Sequence, residues 1–178
     1  MLRLARIEQW TVNGSPGKIG ITELRSTCES AISRIRSLAE ARDISICLTG
    51  HESIYLRADP EDLELIWVNL LENAVHYSPA ESSVTMRLRR NGAGWATVSV
   101  EDSGPGISSE ELPRIFDRFH RADPSRARSS GGFGLGLAIC KALVDAYEGR
   151  IEALNRAEGG TEVRVELRAE ADSSRRRD

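Results

Sequence analysis

The chain has 178 residues, with 24 Lys+Arg against 27 Asp+Glu, a net charge of −3 and 40% hydrophobic residues. This describes one ordinary domain and excludes a basic nucleic-acid binder. The longest stretch without a charged side chain, 129–140, is glycine-rich and far short of the roughly 20 apolar residues of a membrane helix. MLRLARIEQW lacks the continuous apolar core of a signal peptide, so a cytoplasmic location without membrane contact is expected, whatever anchor in the inner membrane a parent protein carries.

In chain order, an amphipathic start gives way to a linker over 9–20, which holds Asn13-Gly14-Ser15-Pro16-Gly17, and residues 1–18 are expected to lie outside the main body. Apolar residues at helical spacing (Leu24, Cys28, Ala31, Ile35, Leu38) predict a helix over 24–42. Two alternating segments, ISICLTG and SIYLRAD, then read as a hairpin turning at Gly50-His51. Asp59-Pro60 supplies a cap and a first-turn proline for a helix reaching Tyr77, where Ser78-Pro79 stops it. SSVTMRLRR and WATVSVED flank the turn NGAG as a second hairpin. A short helix is expected over SSEELPRIFDRF despite Pro113, then a glycine-rich stretch, then a helix over 135–147 closed by Gly149. RIEAL and TEVRVEL, joined through Glu158-Gly159-Gly160, read as a terminal hairpin, with a disordered tail over 169–178. The three cysteines, Cys28, Cys47 and Cys140, have no metal-ligand spacing and are expected to be buried thiols. Helices interspersed with hairpins predict an α+β two-layer sandwich, a mostly antiparallel sheet with helices on one face.

Three constellations could carry chemistry. Helix 61–77 places Leu63, Ile66, Leu70, Ala74 and Tyr77 on one stripe, with Asn69 and Asn73 four apart at its edge. Asparagine is a poor mid-helix residue, so the pair calls for either a solvated face or a ligand. Strand WATVSV runs into Asp102-Ser103-Gly104-Pro105-Gly106-Ile107, a simple turn or a carboxylate beside bare backbone. Such a carboxylate accepts from the exocyclic amine of adenine and repels the carbonyl that guanine carries there. Gly132, Gly134 and Gly136 precede an apolar helix, either as a flexible cap or as free N–H groups facing a polyphosphate. The spacing fits neither a dinucleotide fingerprint, which would need glycine at Leu137, nor a P-loop, which would need Lys followed by Ser or Thr.

Together and in this order, the three signals resemble the ATP-binding catalytic domain of sensor histidine kinases, within the superfamily that includes gyrase, Hsp90 and MutL ATPases. NLLENAVHYSP resembles the N box, VEDSGPGI the first glycine box, RIFDRFHRAD the F box and GGFGLGLAI the second glycine box, and the likeness covers about 19–167. The resemblance implies the Bergerat-type sandwich and ATP with Mg2+ as cofactors. It implies Asn73 as the metal ligand and Asn69 as a phosphate contact. Tyr77 and Ile107 would line the purine, Asp102 with Gly104 and Gly106 would hold its amine end, and Thr161 would support that end through a shared water. Arg121 would reach the γ-phosphate, and Gly132, Gly134, Leu135, Gly136 and Leu137 would close over the phosphate tail. His76 stands where the family often has Lys or Arg; with an intrinsic pKa of about 6.5 it should strengthen nucleotide binding as pH falls.

Hydrolysing members of the superfamily place a glutamate base at the position of Asn69, and an amide cannot accept the proton of an attacking water. Glu72 lies about 100° around the helix from Asn73 and is a poor substitute. Transfer to an external nucleophile is therefore favoured, with Asn69 and Arg121 as the catalytic contacts. The expected partners are a phosphoacceptor histidine on a dimerisation helix pair of the parent kinase, then the receiver domain of a response regulator. His51-Glu52 sits in a turn without the rest of the acceptor pattern, and His120 belongs to the F box, so the acceptor lies on another segment and the chain reads as a piece of a longer protein. Two alternatives use the same boxes: a nucleotide-gated interaction module that never transfers phosphate, and a hydrolytic ATPase.

Overall fold

The computed structural model describes residues 19–50, 53–91, 93–120 and 134–171. Five strands form one sheet: β2 (Ile44–Thr49), β4 (Ser82–Arg90), β5 (Trp95–Glu101), β6 (Arg150–Asn155) and β7 (Thr161–Arg168), in the order β2-β4-β5-β7-β6. Only β2 and β4 run parallel; the other pairs are antiparallel. Strand alternation sends Val84, Met86, Leu88, Ala96, Val98, Val100, Val165 and Leu167 into the core. The opposite face carries Arg87 and Glu101, joined by a two-pronged ion pair at 3.0 and 3.2 Å. Helices α1 (Leu24–Glu40), α2 (Pro60–Tyr77) and α3 (Gly136–Ala146) cover the apolar face, giving the expected α+β two-layer sandwich.

Helix α2 begins as the sequence predicts, the Asp59 carboxylate accepting from the Glu61 N–H at 2.9 Å with Pro60 in the first turn. It is buried on more than one stripe, because α1 and α3 flank it while the sheet lies beneath. Trp67, Leu71 and Val75 are as buried as Leu63 and Ile66, whereas Tyr77 is 41% exposed. The Trp67 indole N–H donates to Thr27 Oγ1 on α1 at 3.0 Å, which gives the largest core side chain a polar partner. Tyr147, just past α3, donates to the Asp62 carboxylate at 2.8 Å and accepts from the Asp59 N–H at 3.0 Å, pinning the start of α2 to the end of α3.

Several expectations are corrected. Residues 44–49 and 55–58 do not form a hairpin. β3 (Tyr55–Ala58) pairs instead with β1 (Gly20–Glu23), a strand lying partly in the expected linker, in a separate two-stranded sheet. The alternation was a true strand signal, but it does not specify a partner. Residues 108–119 form successive turns around a three-residue 3-10 segment, Leu112–Arg114, because Pro113 lacks an N–H and its ring clashes with the turn an α-helix would place before it. The left-handed residue after α3 is Glu148, at φ 54°; Gly149 is needed because a Cβ there would lie 2.5 Å from the Glu166 carbonyl oxygen. Cys47 is exposed on the outer side of β2, while Cys28 and Cys140 are buried, and burial pushes the Cys28 thiol up to about 12. Ala169 and Glu170 are tied in: their N–H groups donate to Gly94 and Tyr55 carbonyls at 2.9 and 2.8 Å, carrying the chain from the large sheet to the small one. The initial segment and His51-Glu52 lie outside the described residues.

Candidate functional site

Helix α2 carries four of the candidate residues. Asn69 is buried, so the solvated-face reading fails for it. Its amide is oriented by donation from Nδ2 to the Leu65 carbonyl at 2.7 Å, and Oδ1 is the atom nearest Gly136: a Cβ on that glycine would stand 3.0 Å from it. Gly136 opens α3, so its missing side chain brings the start of that helix against the amide. Asn73 is half-buried one turn further along α2. His76 is half-buried; its carbonyl accepts from Arg42 at 3.1 Å, and its ring meets Tyr77 edge-on with centroids 5.0 Å apart.

The loop after β5 forms a second cluster. Asp102 is 8% exposed, and its Oδ1 accepts from the N–H groups of Gly104 at 2.8 Å and Thr161 at 3.0 Å. Oδ2 takes part in neither bond. Burial raises the Asp102 carboxyl above the ordinary aspartate range, against the two N–H donors and the nearby Arg156 cation, which pull it down. Gly104 admits no side chain cheaply, because a Cβ would meet both Asp102 Oδ1 and the Tyr77 carbonyl at 3.0 Å. The loop thus rests directly on the C-terminal end of α2. Gly106 is at φ 77°, a conformation L side chains rarely adopt, and Ile107 is half-buried beside it.

The β6–β7 turn completes this cluster with three residues that sequence reasoning missed. The Asn155 side chain bonds both backbone groups of Ile107, accepting its N–H at 2.8 Å and donating to its carbonyl at 2.6 Å. Arg156 donates to the Asp102 carbonyl at 2.8 Å. Gly160, at φ 87°, passes so close that a Cβ would sit 2.0 Å from that same carbonyl oxygen. The Gly159-Gly160-Thr161 run was the available signal, since two glycines in a hairpin turn also mark close backbone approach.

Gly134, at φ 68°, accepts from the Phe119 N–H at 3.0 Å; Leu135 and Leu137 pack against the core from partly buried positions. Arg121 and Gly132 lie outside the described residues. The structure therefore brings Asn69 to Gly136 and brings Asp102, Gly104 and Thr161 together, with Tyr77 and Ile107 at the rim. A cation fits this donor set only if it brings its own oxygen ligands: no group of three or more His, Cys, Asp or Glu side chains that could hold a metal occurs among the described residues, while Asn73 offers a single amide oxygen.

Residues 58–171, which contain every site residue named above, match the family described as histidine kinase-, DNA gyrase B-, and HSP90-like ATPase. The chain belongs to that family. Within it, the chain is a histidine-kinase-type ATP-binding domain. It is 37% identical to Sensor protein SphS of Synechococcus elongatus over 94% of its own length and 41% of that protein. It is 35% identical to the signal transduction histidine-protein kinase BaeS of Escherichia coli over 83% of this chain and 31% of that protein. The chain thus spans less than half of either relative. Among solved structures, the mycobacterial sensor histidine kinase MprB matches at 26% identity and TM-score 0.73, covering 86% of this chain and 99% of that one. The catalytic domain of histidine kinase ThkA matches at 23% identity and TM-score 0.75, over 85% and 96% of the two chains, a likeness of fold. No helix among the described residues is long and apolar enough to cross a membrane.

Proposed function

We propose that this family member binds Mg·ATP and donates the γ-phosphate to a histidine on a separate dimerisation helix pair, from which an aspartate of a response regulator receives it. The observation that carries the reading is that the two clusters sit at two levels of one helix. Asn69 meets Gly136 at one, and Tyr77 meets the Asp102 loop at the other. Eight residues separate them, roughly 12 Å along the axis at the α-helical rise, a distance suited to a base at one end and a polyphosphate tail at the other. The remaining Asp102 oxygen accepts from the adenine amine, with Thr161 beside it. Asn69 and the opening turn of α3 face the phosphates, where helix N–H groups favour negative charge.

Magnesium, held through the Asn73 amide oxygen and the phosphates, would supply charge neutralisation at the transferring group. The protein's own part is positioning, since phosphoryl transfer needs an aligned acceptor and stabilised charge more than covalent help. With an amide at residue 69 whose Nδ2 is already engaged by Leu65, no base stands there for water, so solution turnover should be slow. His76 would add a proton-dependent contribution to phosphate affinity, so His76→Lys should bind ATP with less change between pH 6 and pH 8 than the wild type. Incubating the chain with labelled ATP and a separately produced helix pair bearing the acceptor histidine tests the transfer. Acid-labile phosphate on the helix pair is expected, and nucleotide binding without any transfer would contradict it.

A further inference from the structure

We infer that Asn155, at the end of β6 and outside every motif that marks the site, is the positioning residue that sets the adenine-facing loop and thereby the choice of base. The inference rests on the nucleotide reading above. Asp102 alone does not define a base site. A base is read by the distance between that carboxylate and the apolar wall formed at Ile107, and the segment between them contains two glycines and a positive φ. Left to itself such a segment samples many conformations. Its near end is fixed at Asp102 by the Thr161 and Gly104 N–H groups and by Arg156 on the carbonyl. Among the described residues its far end is fixed by one side chain: Asn155 occupies both the N–H and the carbonyl of Ile107, at 2.8 and 2.6 Å.

Gly106 shows how closely the two fit, because a Cβ there would stand 3.0 Å from Asn155 Oδ1. An amide is the side-chain group that both donates and accepts in one plane, so it can span the two backbone groups of one residue. Asn155 is itself exposed, so neither bond holds the core together. Truncating it should leave the fold intact and release the loop, allowing a base to shift relative to Asp102 and blurring the distinction between an amine and a carbonyl at that edge.

The test compares the full 178-residue chain with Asn155→Ala. Amide hydrogen exchange without nucleotide should show the Ile107 N–H protected in the wild type and released in the variant, with the melting temperature within about 2 °C. Calorimetry with Mg·ADP and Mg·GDP should then show ADP binding weakened about tenfold and the ADP-over-GDP preference narrowed by a similar factor. A contact that merely stabilised the fold would move the melting temperature and leave that ratio alone. Unchanged Ile107 exchange overturns the clamp. Released exchange with an unaltered base ratio overturns the positioning role. A wild type that binds neither nucleotide, with its Ile107 N–H still protected by Asn155, overturns the nucleotide reading and the role with it while the clamp stands.

Discussion

In the proposed nucleotide site Asp102 is the residue on which recognition would turn, and its environment makes function and stability pull apart. Burial raises its carboxyl above the ordinary value of about 3.9, so ionisation costs more in the folded chain than in the unfolded one. The cost is absent below that ordinary value, grows as pH rises from it through the raised one, and is complete above it. An asparagine oxygen at 102 can still accept the Gly104 and Thr161 N–H groups without carrying charge. Asp102→Asn should therefore melt at or above the wild-type temperature at pH 7, with the gap closing below about pH 4, while adenine-nucleotide affinity falls about 10- to 100-fold. A variant clearly less stable at pH 7 would show that the charge is structurally needed. Glu101 next door has the opposite sign: its bond to Arg87 holds it low, so its contribution is present above the usual glutamate range and fades as pH falls through the depressed value. Asp-x-Gly-x-Gly singled out Asp102 as a candidate, and the four-residue spacing singled out Asn69 and Asn73. Asn155 was not readable, because an asparagine ending a strand looks like any turn residue until its partner, distant in sequence, is known.

Among the elements, the glycines at close approaches carry the sharpest expectations. Gly160→Ala forces a Cβ onto the Asp102 carbonyl oxygen at a left-handed backbone position, and should cost about 2–4 kcal/mol in denaturant unfolding; a loss under about 0.5 kcal/mol would mean the turn relaxes. Gly136→Ala is the contrasting case. Alanine is the better helix former and the atom nearest its Cβ would be the Asn69 side-chain oxygen at 3.0 Å, so stability should change by less than about 1 kcal/mol while Mg·ATP affinity drops at least about tenfold. Affinity at the wild-type level would remove Asn69 and Gly136 from the phosphate end. At this scale the sequence announced α1, α2, α3 and both antiparallel hairpins of the large sheet through periodicity and turn chemistry. It misled where a local pattern has a non-local partner: β2 pairs in parallel with β4 across an intervening helix, a choice made by the sheet and not by the alternation of ISICLT. The helix expected over 108–119 failed for a local reason visible in advance, Pro113.

For the whole molecule, the two sheets are joined after β7, where Ala169 and Glu170 reach Gly94 and Tyr55, the Arg57 guanidinium pairs with Glu170 at 3.2 Å and Arg90 donates to the Glu170 carbonyl at 2.7 Å. Ending the chain after Arg168 should thus lower stability by about 1–3 kcal/mol, whereas an unattached tail could be removed at no cost. That join escaped the sequence because residues past 168 have no apolar periodicity; they are held by backbone bonds and by two arginines remote in sequence. The fold, the helix order and part of the buried face of α2 were accessible from pattern, and the family from its motifs, but the way the β6–β7 turn grips the Asp102 loop needed three dimensions. The central claim is one adenine-nucleotide site running along α2 from the Asp102 loop to Asn69. Its most direct test is calorimetry of the chain with magnesium and a non-hydrolysable ATP analogue, repeated with the guanine counterpart. One site should be filled by the adenine form, with the guanine form at least about 100-fold weaker; no heat, or equal binding of the two, would contradict the account.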